Sequence, residues 1–238
     1  MKLPNIRKLF IPDSGMTVFD IDLSSADLRI VTWESDCRLM KEWFAEGLDP
    51  YTMVAREYYH EPDMSKKDDR RQQFKSLCHA TNYLGVAKNI AGNSNIRLAV
   101  HEVARIQAWY FNLFPEIKAW QTRLVEQVKT TMEIQNAFGY RYKFLDRLTN
   151  NTFNEAVAWI PQSTVGIVIN HAMVNISNHL PEVQLLLQVH DSLVGQYPTN
   201  MPELRESIIQ ESLITIPYLD PLVIPVGIKS SEKSWGDC

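Results

Sequence analysis

QLLLQVHDSLVGQYP, residues 184–198, is the stretch whose reading decides the fold. Two apolar runs flank a short polar tip, which predicts a β-hairpin with His190, Asp191 and Ser192 at its turn. A second β element is written in TVFDIDL, residues 17–23, where apolar and polar positions alternate among β-branched and aromatic residues behind the turn Pro12-Asp13-Ser14-Gly15. That segment predicts a strand ending at Asp22. Ser24 or Ser25 then stands at an N-cap position, and ADLRIVTWES after it predicts a helix, so Asp22 and Asp27 flank a strand-to-helix junction.

From about Asp49 to Phe144 the pattern is helical throughout, including HEVARIQAWYFNLF and PEIKAWQTRLVEQVKTTM, the second opened by Pro115. This block stands as an insertion between two sheet-forming regions. Residues 154–179 also carry a helical pattern, which Pro161 is expected to kink or break. A last helix within MPELRESIIQESL and the segment PLVIPVGIKSSEKSWGDC close the chain. The fold class is therefore α+β, a small antiparallel sheet with an inserted helical subdomain.

Composition narrows the setting. The chain has 238 residues, 45% of them apolar, enough for a substantial core. No run of about 18 uncharged apolar residues appears, so no membrane span is expected. Cys37, Cys78 and Cys238 have no paired spacing, which fits neither a disulfide framework nor a zinc site and points to a reducing, cytoplasmic setting. A net charge of −4 is unusual for a plain nucleic-acid binder. Locally, SKKDDRRQQFK (65–75) carries five cations against two aspartates, and any phosphate-binding surface should start there.

Two constellations carry chemistry. Asp22 and Asp191, 169 residues apart, can meet only if their β elements are sheet neighbours. Such a carboxylate pair suits hard divalent ions, and in-line phosphoryl transfer is served by two Mg2+ about 3.5–4 Å apart. Taken singly, Asp191 also fits a turn and Asp22 a helix cap. The second constellation is Arg71, Lys75, His79 and Tyr83, which recur every fourth residue and so share one helix face, each about 40° from the last. The opposite face carries Phe74, Leu77, Cys78 and Leu84. The cations suit a triphosphate and the rings a base and sugar, while for the stripe taken in isolation a solvated amphipathic face is the favoured reading. Trp109, Tyr110, Phe111, Phe114 and Trp120 are expected in the core, and His60, His101, His171 and His179 have no ligand spacing.

In combination and in order, these segments resemble the motifs of the family A DNA polymerases, the group of bacterial DNA polymerase I and many phage replicative enzymes. FIPDSGMTVFDIDLSSADLR resembles motif A, RRQQFKSLCHATNYLG (within about 66–85) motif B and QVHDSLVGQYP motif C; FPEIKAWQTRLVEQV, AFGYRYKF, PQST and SWGDC fall in the family's order. The resemblance runs from Asn5 onward. It implies a palm from about residues 1–48 and 150–238, with helical fingers over about 49–149 that close on a correct nucleotide.

Carried over residue by residue, the resemblance implies that Asp22 and Asp191 hold two Mg2+ ions, with Mn2+ as a substitute. It implies that Arg71 and Lys75 bind the incoming dNTP triphosphate, Lys75 also being placed to protonate the leaving pyrophosphate. His79 would face the incoming sugar and base, and Tyr83 the nascent base pair. Gln162 and His190 would read the primer-terminal minor groove of the primer-template DNA. Asp27 stands at the usual Glu that blocks a ribose 2′-hydroxyl, so weaker discrimination against ribonucleotides is expected.

Other departures are His79 for Phe or Tyr, Tyr51 for His, Leu84 for Gly, Ser192 for Glu and Ala158 for Asn, the pattern of a divergent phage enzyme. The family's thumb, exonuclease and Thr-Gly-Arg primer element lie upstream of motif A. The expectation is a split polymerase whose thumb and exonuclease come from a separate polypeptide. The competing reading is an inactive remnant that binds primer-template DNA or a replication protein, and a single-subunit RNA polymerase is a third.

Overall fold

Strand β1 (Met16–Leu23) sorts its side chains by alternation: Val18, Asp20 and Asp22 point to one side, Thr17, Phe19, Ile21 and Leu23 to the other. Burying the second set drives its packing. The structure, a computed structural model, describes residues 5–93 and 96–238. It divides into two compact units, residues 1–27 with 162–238, and residues 28–161.

In the first unit β1 lies centrally in an antiparallel sheet of order β4-β5-β1-β8, with β4 at Gln184–Val189, β5 at Ser192–Pro198 and β8 at Val226–Ser231. Phe19 and Ile21 pack with Leu193, Tyr197, Ile176 and Ile208, closing one sheet face. On the other face the described residues form the small group Val18, Val194 and Trp235, with Val189 and Cys238 against it. The expected hairpin forms as β4–β5, with His190 at φ 55 making the tight reversal. Gly195 is Phe19's cross-strand partner, and a Cβ there would lie 2.5 Å from the Phe19 ring. Helix α9 (Leu204–Glu211), the short pair β6 (Thr215–Ile216) and β7 (Leu222–Val223), and a 3-10 turn at Trp235–Asp237 complete this unit.

The second unit is helical: α1 (Ala26–Ser35), α2 (Arg38–Ala45), α3 (Pro50–Tyr59), α4 (Asp69–Asn82), α5 (Ala87–Ala91), α6 (Val100–Leu113) and α7 (Pro115–Thr131). Its core includes Phe74, Leu77, Tyr110, Phe114, Ile117 and Trp120. Tyr110, Phe114 and Trp120 are buried as expected, and Trp109 and Phe111 are partly buried against the same core.

Three expectations are corrected. The block 49–144 is not helical throughout, because strands β2 (Glu133–Gln135) and β3 (Arg141–Lys143) pair after α7. Met132 ends that helix at φ 54, and the Asn136 carboxamide accepts from the Phe138 and Tyr140 amides at 3.1 Å, folding the turn with Gly139 at φ +86. Second, Pro161 does not break its helix, α8, which runs from Asn150 to His179. Finally, β1 extends one residue past Asp22. No helix among the described residues is long and apolar enough to cross a membrane.

Candidate active site

The ladder that fixes β1 also joins the two aspartates. Asp22 pairs in register with Ser192, and the next amide, Leu23 N–H, donates to the Asp191 carbonyl at 3.2 Å. Asp22, His190 and Asp191 line one cavity of about 350 Å3, together with Arg7, Asp20, Ser192, Gly227 and Lys229. Asp22 is exposed and Asp191 half-buried. Gly227, opposite Asp22 on β8, adds no side chain to the floor. Among the described residues no three His, Cys, Asp or Glu side chains converge as an all-protein cation cage would. The donor set fits instead an ion that takes a few carboxylate oxygens and completes its shell with water and substrate oxygens.

The basic stripe forms on α4, whose start is set by the Asp68 carboxylate accepting the Arg70 amide at 2.8 Å. Lys75 and His79 are exposed, Arg71 and Tyr83 partly buried, and Tyr83 is the residue just past the helix end. His79 and Tyr83 meet edge to face with centroids 4.7 Å apart. The Arg71 guanidinium and Lys75 ammonium lie over the buried Tyr51 ring at 5.5 and 5.9 Å. Arg71 is also held by Asp49, Nε to Oδ2 at 2.9 Å and Nη2 to Oδ1 at 2.8 Å. Burial pushes the Asp49 carboxyl up, but the Arg71 and Thr52 hydrogen bonds with the Arg71 charge outweigh it and leave it below the usual carboxylate value. Arg70 is likewise spent on Glu61 and Asp68, so the basic segment 65–75 is more neutral than its composition suggests.

The end of α4 is fastened by buried polar contacts. Leu84 N–H reaches Thr81 O at 3.2 Å and Gly85 N–H reaches Ala80 O at 2.8 Å, a Schellman closure with Leu84 at φ 60. Gln121 Nε2 on α7 donates to the Thr81 and Asn82 carbonyls at 2.9 Å each, and Tyr110 Oη donates to the Asn82 side chain at 2.9 Å. Gln107 Nε2 donates to Gly85 O at 2.8 Å. The Gln121 amide thereby satisfies the helix-end carbonyl of Asn82 inside the core and adds a second donor to Thr81 O.

The structure thus brings Asp22, His190 and Asp191 to one cavity, and Arg71, Lys75, His79 and Tyr83 to one face of α4. Asp27 and Gln162 belong to the first unit but do not line that cavity. Sequence reasoning passed over Asp20, Arg7, Lys229, Asp49 and Gln121. Asp20 had a readable signal, since it stands two residues before Asp22 in a strand and shares its face; the others are fixed by long-range contacts.

The sequence model of DNA polymerase family A matches residues 2–237. The chain belongs to DNA polymerase family A. It is 26% identical over 94% of its length to the thermostable DNA polymerase I of Thermus filiformis, and covers 28% of that protein. It is 28% identical over 98% of its length to DNA polymerase I of Helicobacter pylori, and covers 26% of it. The chain therefore spans about a quarter of these relatives. A solved structure, the POL domain of Pol1 from M. smegmatis in complex with DNA primer-template and dNTP, matches 98% of the chain with a TM-score of 0.85 at 20% identity, over 42% of that structure.

The glycine expected at position 84 would have a physical reason in this structure. The position closes a helix in the left-handed region, where glycine carries no Cβ penalty and leucine costs about 1–2 kcal/mol. Leu84 recovers part of that cost by packing against the second unit's core.

Proposed function

We propose that the chain performs template-directed DNA synthesis, transferring a nucleotidyl group from a dNTP to a primer 3′-hydroxyl. The observation that carries this reading is the convergence of Asp22 and Asp191 on one cavity, through adjacent strands 169 residues apart in sequence. Two Mg2+ ions, when bound, would activate the attacking hydroxyl and offset charge on the phosphates. Asp22 and Asp191 would hold them as hard oxygen donors. Arg71 and Lys75 would bind the triphosphate, and Lys75 would supply the proton to the leaving pyrophosphate. His79 and Tyr83 would face the sugar and the nascent pair, Gln162 and His190 the primer-terminal minor groove, and Asp27 the ribose 2′ position. We assign residues 1–48 and 150–238 to a palm and 49–149 to fingers.

The test is primer extension with dNTPs and Mg2+, alone and with the product of an adjacent reading frame as the expected thumb and exonuclease polypeptide. Asp191→Ala should abolish incorporation and retain primer-template binding. Folded wild-type protein that binds primer-template yet incorporates nothing under either condition would favour the non-catalytic module and sink the enzyme reading.

A further inference from the structure

The cavity that holds Asp22 and Asp191 also holds two cations that no motif explains. Lys229 is the cross-strand partner of Asp20 and lies diagonally from Asp22 across the β1–β8 pair, on the same sheet face. It is exposed. Asp20 is engaged elsewhere, because its Oδ2 accepts the Trp235 indole N–H at 2.7 Å.

Trp235 in turn supports the second cation, as the Arg7 guanidinium stacks over its ring at 4.4 Å. The Trp235 amide is tied to Phe10 O at 2.9 Å, which fixes this platform to the segment that carries Arg7. Arg7 Nη1 stands 3.9 Å from Asp20 Oδ2, too long for a hydrogen bond, so this contact orients the guanidinium without consuming a donor. A stacked guanidinium with donors to spare is a pre-organised fork for phosphate oxygens, and a lysine beside it adds a mobile point charge. A pure cation site would gain nothing from either group; a site that must seat a phosphate next to its metal ligands gains from both.

We propose that Arg7 and Lys229 form a phosphate-binding pair at the carboxylate cavity, with Asp20 and Trp235 as positioning residues for Arg7. The inference rests on the polymerase reading, and the phosphate comes either from the primer-template backbone or from the nucleotide's triphosphate. Lys229 gives the cleaner test, since truncating Arg7 also strips the Trp235 ring.

Primer-template binding by the full chain is measured by fluorescence anisotropy across a KCl series for wild type, Lys229→Ala and Lys229→Arg, each checked for an intact thermal melt. Loss of one backbone contact makes the log–log salt slope shallower by about 0.9, so a fourfold rise in salt weakens wild type about 3.5-fold more than Lys229→Ala. Lys229→Arg should restore the slope. A triphosphate contact would instead leave the slope unchanged and raise the dNTP KM in primer extension, again restored by arginine.

Wild-type protein that neither binds nor extends primer-template would sink the polymerase reading. The pair is then judged by calorimetric binding of tripolyphosphate, supported if Lys229→Ala loses it and overturned if it does not. With active wild type, a Lys229→Ala protein unchanged in both slope and KM overturns the pair while leaving the polymerase reading standing.

Discussion

Replacing Gly195 by alanine should destabilise the sheet that carries both aspartates. A Cβ built on Gly195 falls 2.5 and 2.7 Å from Phe19 Cζ and Cε1, and 2.7 Å from Gln184 O. Carbon atoms pack best at about 3.5–4.0 Å, so the new methyl must open roughly 1 Å on two sides at once. Neither neighbour yields easily: Phe19 is fully buried in the first unit's core, and the Gln184 carbonyl belongs to the β4 backbone beside a register shift between Leu185 and Leu187. Overpacking of this kind costs about 1–3 kcal/mol, and two rigid contacts place Gly195→Ala in the upper half of that range. For a chain of this size about 2–3 kcal/mol lowers Tm by roughly 4–12 °C.

Circular dichroism melting and urea unfolding measure the loss. The cause is tested with Phe19→Leu: if the ring is the obstacle, the double variant should lose less than the sum of the two single losses, by at least about 0.5 kcal/mol. A Tm shift under about 1 °C for Gly195→Ala, or strict additivity with Phe19→Leu, would refute the steric argument.

The Asp49 carboxyl is held below its usual value, so it contributes stability that is present above about pH 4 and lost as pH falls through its lower folded-state value. Urea midpoints from pH 6 to pH 2.5 should fall less steeply for Asp49→Asn than for wild type, and parallel acid limbs would show that the Arg71 pairing adds no pH-dependent stability. Gln121→Met strips the donor from the buried Asn82 carbonyl and leaves Thr81 O with the Leu84 amide alone, and should cost about 1–3 kcal/mol, read from the urea midpoint. A more stable Met variant would mean that relief of the unpartnered Gln121 Oε1 dominates. Asp27→Glu should raise the ratio of dNTP to rNTP kcat/KM in primer extension; an unchanged ratio removes Asp27 from the sugar pocket.

What the chain disclosed in advance follows the range of the interactions involved. Strand β1, the β4–β5 hairpin and α4 were legible because their signals are periodic and local: alternation over 17–23, a polar tip between apolar runs, a four-residue repeat. The β2–β3 pair was missed because strands of three residues are too short to display a period, and its determinants are a left-handed Met132 and one Asn136 side chain. Pro161 does not break α8 because propensity is weak against a helix whose buried residues on either side, Ile160 and Val165 among them, pack into cores. The engagement of Arg71 by Asp49 and the clamp of Gln121 on α4 join residues 22 and about 40 positions apart, and no spacing rule reaches them.

Asp22 is the case where local pattern and site coincide. Alternation along β1 sends Phe19 and Ile21 into the core and leaves Asp20 and Asp22 on the sparsely covered face, so a one-residue slip would bury both carboxylates and expose both apolar side chains. The register that holds Asp22 beside Asp191 is therefore enforced by hydrophobic burial on the opposite side of the sheet, and the carboxylate pair needs no interaction of its own to be assembled. Substitutions on the core face of β1 should consequently disturb the geometry of the site through register and stability, whereas substitutions at Asp22 or Asp191 should remove chemistry and leave the fold intact.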